Sequence, residues 1–85
     1  MSLNKDYLRL LLTLDVNDSM VLCLREHEKR GGTYEWGKDE WPNRNTTRAL
    51  ENRGHITVQG EWPDGLSSTL TDHGRALLAE LSAAR

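Results

Sequence analysis

The sequence predicts an α+β chain in which helices precede and follow a two-stranded hairpin. Three observations carry that prediction. Leucine-rich stretches with helical spacing stand near both ends of the chain. A helix-like segment from Asn43 to Arg53 closes on Gly54 and passes at once into alternating residues. Gly60-Glu61-Trp62-Pro63-Asp64-Gly65 then supplies turn chemistry for a returning strand. A length of 85 residues and a mass of 9.7 kDa fit a single domain over 1–85. Within it, 1–16 reads as an N-terminal helix and 18–83 as the folded core.

Each element has a local reason. Lys5 to Leu14 is apolar at Tyr7, Leu8, Leu10, Leu11, Leu12 and Leu14, and positions 7, 8, 11 and 14 follow a helical stripe. Asp15-Val16-Asn17-Asp18-Ser19 breaks that helix and offers caps for the next. The second helix is expected from Asp18 to Lys29, with Met20, Val21, Cys23 and Leu24 inward and His27 half-buried on the same face, and Gly31-Gly32 ends it. Thr33 to Trp36 alternates and predicts a short third strand. Gly37 to Trp41 reads either as a helical turn or as a loop. Pro42 and Asn43 mark a new helix start, with Asn43 or Asn45 as its cap. His55 to Gln59 alternates, with Ile56 and Val58 on one face, and Leu66 to Leu70 is its partner strand. Thr71 caps a last helix to Ala83, whose stripe is Ala76, Leu77, Leu78 and Leu81.

Composition narrows the function. A chain this short buries roughly 60–65% of its unfolded surface. Hydrophobic residues at 36% and seven glycines place it at the low edge of globular composition, so a dimer or partner interface is expected to bury more. The single cysteine, Cys23, excludes an internal disulfide and a multi-thiolate zinc site. It suits a reducing, cytoplasmic compartment. Cys23 and His27 stand at i, i+4, but no further ligand pair has a recognisable spacing, so no metal is expected. There is no phosphate loop, nucleophile elbow or metalloprotease motif, so neither an enzyme nor a cofactor is expected. No apolar run is long enough to span a bilayer, and the first residues lack a signal-peptide layout. His55 and His73 fall at element ends, where solvent-facing or capping roles are expected.

The most informative residues are Ala49-Leu50-Glu51-Asn52-Arg53-Gly54-His55-Ile56, followed by Leu70-Thr71-Asp72-His73-Gly74-Arg75-Ala76-Leu77-Leu78. Together they resemble the winged helix-turn-helix domains of MarR- and PadR-type bacterial transcriptional regulators. There, a recognition helix ends in A-L-E-x-R-G-x-I, a wing hairpin follows, and L-T-x-x-G-R-x-L-L opens the next helix. The resemblance spans about residues 18–81. It implies a winged helix with three or four helices and a two-stranded wing, binding DNA with the helix over 43–53 in the major groove. It also implies a homodimer through the terminal helices, here Leu8, Leu11 and Leu12 with Leu77 and Leu81.

Projected at about 100° per residue, Thr46, Ala49, Leu50 and Arg53 are expected inward. Arg44, Thr47, Arg48 and Glu51 are expected outward, with Asn45 and Asn52 at the edge. The expected DNA contacts are Arg44, Asn45, Thr47, Arg48 and Asn52, since Arg pairs with guanine or phosphate and Asn with adenine. Charge is distributed unevenly around the formal total of −2: residues 42–53 carry +2, while 31–41 and 54–70 each carry −2. Two features depart from the family pattern. The wing tip has two acids and no base, and Gly37 to Pro42 replaces a longer supporting helix. The acidic tip motivates an alternative, a winged-helix protein-interaction module that binds a protein partner through Glu61, Trp62 and Asp64. Trp36 and Trp41 are expected at the core or its edge. Trp62 either folds under the wing or anchors a partner.

Overall fold

The computed structural model describes residues 5–36, 43–61 and 65–83. Among the described residues the fold is α+β, with four helices and a three-stranded antiparallel sheet. The order is α1 (Lys5–Leu14), α2 (Asp18–Lys29), β1 (Thr33–Glu35), α3 (Arg44–Asn52), β2 (Ile56–Glu61), β3 (Gly65–Leu70) and α4 (Asp72–Ala83).

The helix starts follow capping chemistry. The Asn17 side chain accepts from the Met20 amide at 2.9 Å and opens α2. Asn43 rather than Asn45 caps α3, accepting from the Asn45 and Thr46 amides at 2.8 and 3.4 Å. Thr71 serves two elements at once. Its hydroxyl accepts from the Gly74 amide at 3.0 Å and donates to the Gly54 carbonyl at 2.6 Å. That pair of bonds ties the start of α4 to the end of α3.

Gly54 adopts φ +78, the left-handed conformation that costs a Cβ-bearing residue about 1–2 kcal/mol. This turn lets the His55 amide reach back to the Leu50 carbonyl at 2.9 Å and the chain enter β2 directly. β2 pairs with β3 from Ile56 opposite Leu70 to Glu61 opposite Gly65. The predicted third strand is present: β1 lies on the other side of β3, with Tyr34 opposite Ser68.

The core joins all four helices to the sheet. Leu24 of α2, Leu50 of α3 and Leu81 of α4 are fully buried, with Ile56 and Leu70 beneath them from the sheet. Tyr7 and Leu11 of α1 belong to the same cluster. This corrects part of the expected dimer surface. Leu11, Leu77 and Leu81 are spent on the chain's own core, because α1 and α4 turn these positions inward. Leu8 and Leu12 remain exposed on α1, and Leu22 on α2. No helix among the described residues is long and apolar enough to cross a membrane.

Candidate nucleic-acid interface

Helix α3 is short and polar, and it is held by Leu50, with Ala49 packed against the core beside it. Leu50 is fully buried, and around the helix the positions within about 60° of it must also lie inward. Thr47 is one of these. It is 2% exposed, and its hydroxyl donates to the Asn43 carbonyl at 3.2 Å. The expectation that Thr47 faces outward is therefore corrected: it packs toward α2, beside Cys23. Arg48 and Asn52 lie about 160° from Leu50 and form the centre of the outer face, with Arg44 and Asn45 flanking. All four are exposed.

The three arginines of this segment divide into two groups. Arg53 turns back toward α1. Its guanidinium donates to the Asp15 backbone carbonyl and, at 3.0 Å, to the Asp15 carboxylate. Asp15 itself has φ +55, a left-handed position after the end of α1 that aspartate tolerates. Arg44 and Arg48 are different: among the described residues neither forms an ion pair. They border a groove of about 230 Å³ between α3 and the sheet, opposite Trp36, Val58 and Leu66. Trp36 is half-buried at this edge, and its amide donates to the Leu66 carbonyl at 2.8 Å. The site is thus a two-arginine helix face beside a partly apolar groove. Such a face can donate bidentate hydrogen bonds to phosphates or guanine edges.

At the far end of the hairpin Glu61 is exposed. Trp62 and Asp64 lie outside the described residues, as do Trp41 and the whole Gly37–Pro42 segment.

The Cys23–His27 pair has a structural explanation. His27 is fully buried, and both ring nitrogens are engaged. Nδ1 lies 2.7 Å from the Cys23 carbonyl and therefore donates to it, which leaves Nε2 to accept from the Ser68 hydroxyl at 2.5 Å. The Cys23 sulfur stands 3.9 Å from Nδ1. Burial, followed by the charge of Arg30, holds His27 below its ordinary pKa, with the Cys23 carbonyl opposing. Burial pushes the Cys23 thiol up to about 11.

Ser68 is the residue that sequence reasoning passed over as ordinary strand. The signal was present: it alternates with Leu66 and Leu70 on β3, so it shares their inward face. His55 also departs from expectation. It is 7% exposed, and its ring stacks on His73 at 4.4 Å between centroids with 6° between planes.

Comparison with known protein families, with curated proteins and with solved structures finds no match for this chain.

Proposed function

We propose that the chain is a small winged-helix DNA-binding protein, a transcriptional regulator of the MarR/PadR kind, with α3 as its recognition helix. The observation that carries this reading is the exposed face of α3, where Arg44 and Arg48 stand one turn apart and unpaired among the described residues. Asn45 and Asn52 extend the same face with groups that pair with adenine. The succession of α3, the β2–β3 hairpin and α4, with β1 as a third strand, suits a winged helix. In this reading the β2–β3 hairpin is the wing. A homodimer would rest on Leu8 and Leu12, the two of the five predicted leucines left at the surface.

The test is fluorescence anisotropy with labelled duplex DNA across a salt series. Binding is expected at low salt and should weaken as salt rises. Arg48→Ala should lower affinity and reduce the salt slope by about one unit, the signature of one lost phosphate contact. Folded chain that binds no duplex at low salt would overturn the reading. That result would favour the alternative, a protein partner held by Glu61, Trp62 and Asp64. Two observations support the alternative: the exposed acid at the hairpin end and the capture of Arg53 by Asp15.

A further inference from the structure

The exposed side of α3 has two flanks of different chemistry. Glu51, Arg44 and Arg48 lie about 100°, 120° and 160° around the helix axis from Leu50 in one sense, and Asn45 and Asn52 lie about 140° and 160° from it in the other. The groove beside α3 shows which flank faces the sheet. Its lining includes Arg44, Thr47, Arg48 and Glu51 together with Val58 and Leu66, and neither asparagine borders it. The arginine flank therefore looks toward the hairpin, and the asparagine flank looks away from it.

Folding gives the two asparagines nothing to do. Both are exposed, and neither side chain has a hydrogen-bond partner among the described residues. The cap of α3 is Asn43, and Asn45 contributes only its backbone amide to it. Asparagine is a poor helix former, so helix stability does not call for a pair of them on one line. Seven residues separate the two, about 10.5 Å along the axis, which spans about three base-pair steps at about 3.4 Å each.

The other flank carries the charge. Arg44 and Arg48 are one turn apart and, among the described residues, neither forms an ion pair. Glu51 follows Arg48 on that flank by about 4.5 Å along the axis, so its carboxylate confines an approaching phosphate strand to the N-terminal half of the helix. The asparagine flank bears no charge of its own, because Arg53 turns back to Asp15. It can meet base edges without stripping water from an ion.

We propose that α3 divides its work between these flanks: Arg44 and Arg48 hold one phosphate strand of a DNA duplex, and Asn45 and Asn52 each read an adenine through its N6 and N7. The inference rests on the DNA-binding reading above and adds the kind of sequence bound, a site with two A·T pairs about three steps apart.

The test is selection from a randomised duplex library by the intact chain, followed by anisotropy on the enriched duplex and on a scrambled one. Enriched duplexes are expected to share two A·T pairs at that spacing. Asn45→Ala and Asn52→Ala should each lose the preference at a different one of the two. Discrimination there should fall about fivefold to a hundredfold, the range for one bidentate base contact. Scrambled-duplex affinity and the salt slope should stay as in the parent. Arg44→Ala and Arg48→Ala should weaken both duplexes alike and reduce the salt slope by about one unit each. A sequence preference that survives both asparagine substitutions would overturn the proposal. So would an arginine substitution that changes the preferred sequence without weakening the scrambled duplex, or duplex binding with no shared sequence in the pool. In each of those cases the DNA-binding reading stands. Absence of binding to any duplex would overturn that reading, and the division of labour with it.

Discussion

Gly74→Ala sets two physical effects against each other. Gly74 lies in the first turn of α4, where backbone propensity alone favours alanine by up to about 1 kcal/mol. Packing predicts the opposite sign. A Cβ at this position would overlap the His55 carbonyl oxygen, and it would stand 3.1 Å from the His55 carbonyl carbon and 3.3 Å from Leu70 Cδ2. The obstacle is backbone, and it is pinned: the same carbonyl accepts from the Thr71 amide at 3.1 Å. Relief requires α4 to move off the junction, loosening that bond and the two made by the Thr71 hydroxyl. Overpacking of this kind costs about 1–3 kcal/mol, and partial weakening of these bonds adds about 1 kcal/mol in all. After the propensity gain, a net loss of about 1–3 kcal/mol remains. For a domain this small, that corresponds to a melting point lower by roughly 5–20 °C. Urea and thermal unfolding followed by circular dichroism would measure it. A variant as stable as the parent, or more so, would refute the packing argument and leave helix propensity as the deciding effect.

Other consequences follow from the buried polar groups and the leucines. Ser68→Ala removes the donor to His27 Nε2 and strands a fully buried acceptor. It should cost about 1–3 kcal/mol in urea unfolding, and a loss below 0.5 kcal/mol would mean that the bond contributes little. His27 and His55 are both held below the ordinary value of 6.5, so the unfolded chain binds more protons than the folded one under mild acid. Stability should be full above about pH 6.5 and should fall as the pH drops below it, with a slope of up to about 1.4 kcal/mol per pH unit per histidine. A flat profile between pH 7 and pH 5.5 would contradict this. Cys23, 1% exposed with its thiol pushed up to about 11, should resist alkylation in the folded chain and react on unfolding. Rapid native labelling would contradict its burial. Leu11→Ala should cost about 2–5 kcal/mol, whereas Leu12→Ser, at a position 83% exposed, should change monomer stability by less than about 0.5 kcal/mol. Sedimentation of the Leu12→Ser variant at several concentrations also tests whether that leucine joins two chains.

The boundaries of the elements were largely legible because their signals are local. Asn17, Asn43 and Thr71 satisfy amides within three residues of themselves. Gly54 is needed at a single φ. The alternation of Ile56 and Val58 is a property of one strand. Leu77, Leu78 and Leu81 of α4 were read as inward from spacing in the same way, whereas Ala76 of the expected stripe is exposed and Gly74 takes the buried place at the start of the helix.

The face of α3 was legible only in part. An approximate division of the helical wheel put Thr47 outside, but the true centre of the buried side is Leu50, and Thr47 lies too close to it to reach solvent. Which direction is inward was decided by α2, not by α3. The same holds for charge. Residues 42–53 sum to +2 in the sequence, yet Arg53 is withdrawn by an acid 38 positions earlier.

The sequence by itself determined the α+β class, the order of helices and strands, and the pairing of a polar helix with a following hairpin. Capping, backbone conformation and periodicity act over a few residues, so one chain is enough to read them. Tertiary structure alone decided the partners that are distant in sequence. Ser68 meets His27 across 41 positions, and His55 lies buried against His73 and the start of α4. It also set which leucines the core consumes, and so which remain for another molecule. Burial and long-range hydrogen bonds depend on how the elements pack, and no local pattern encodes that packing.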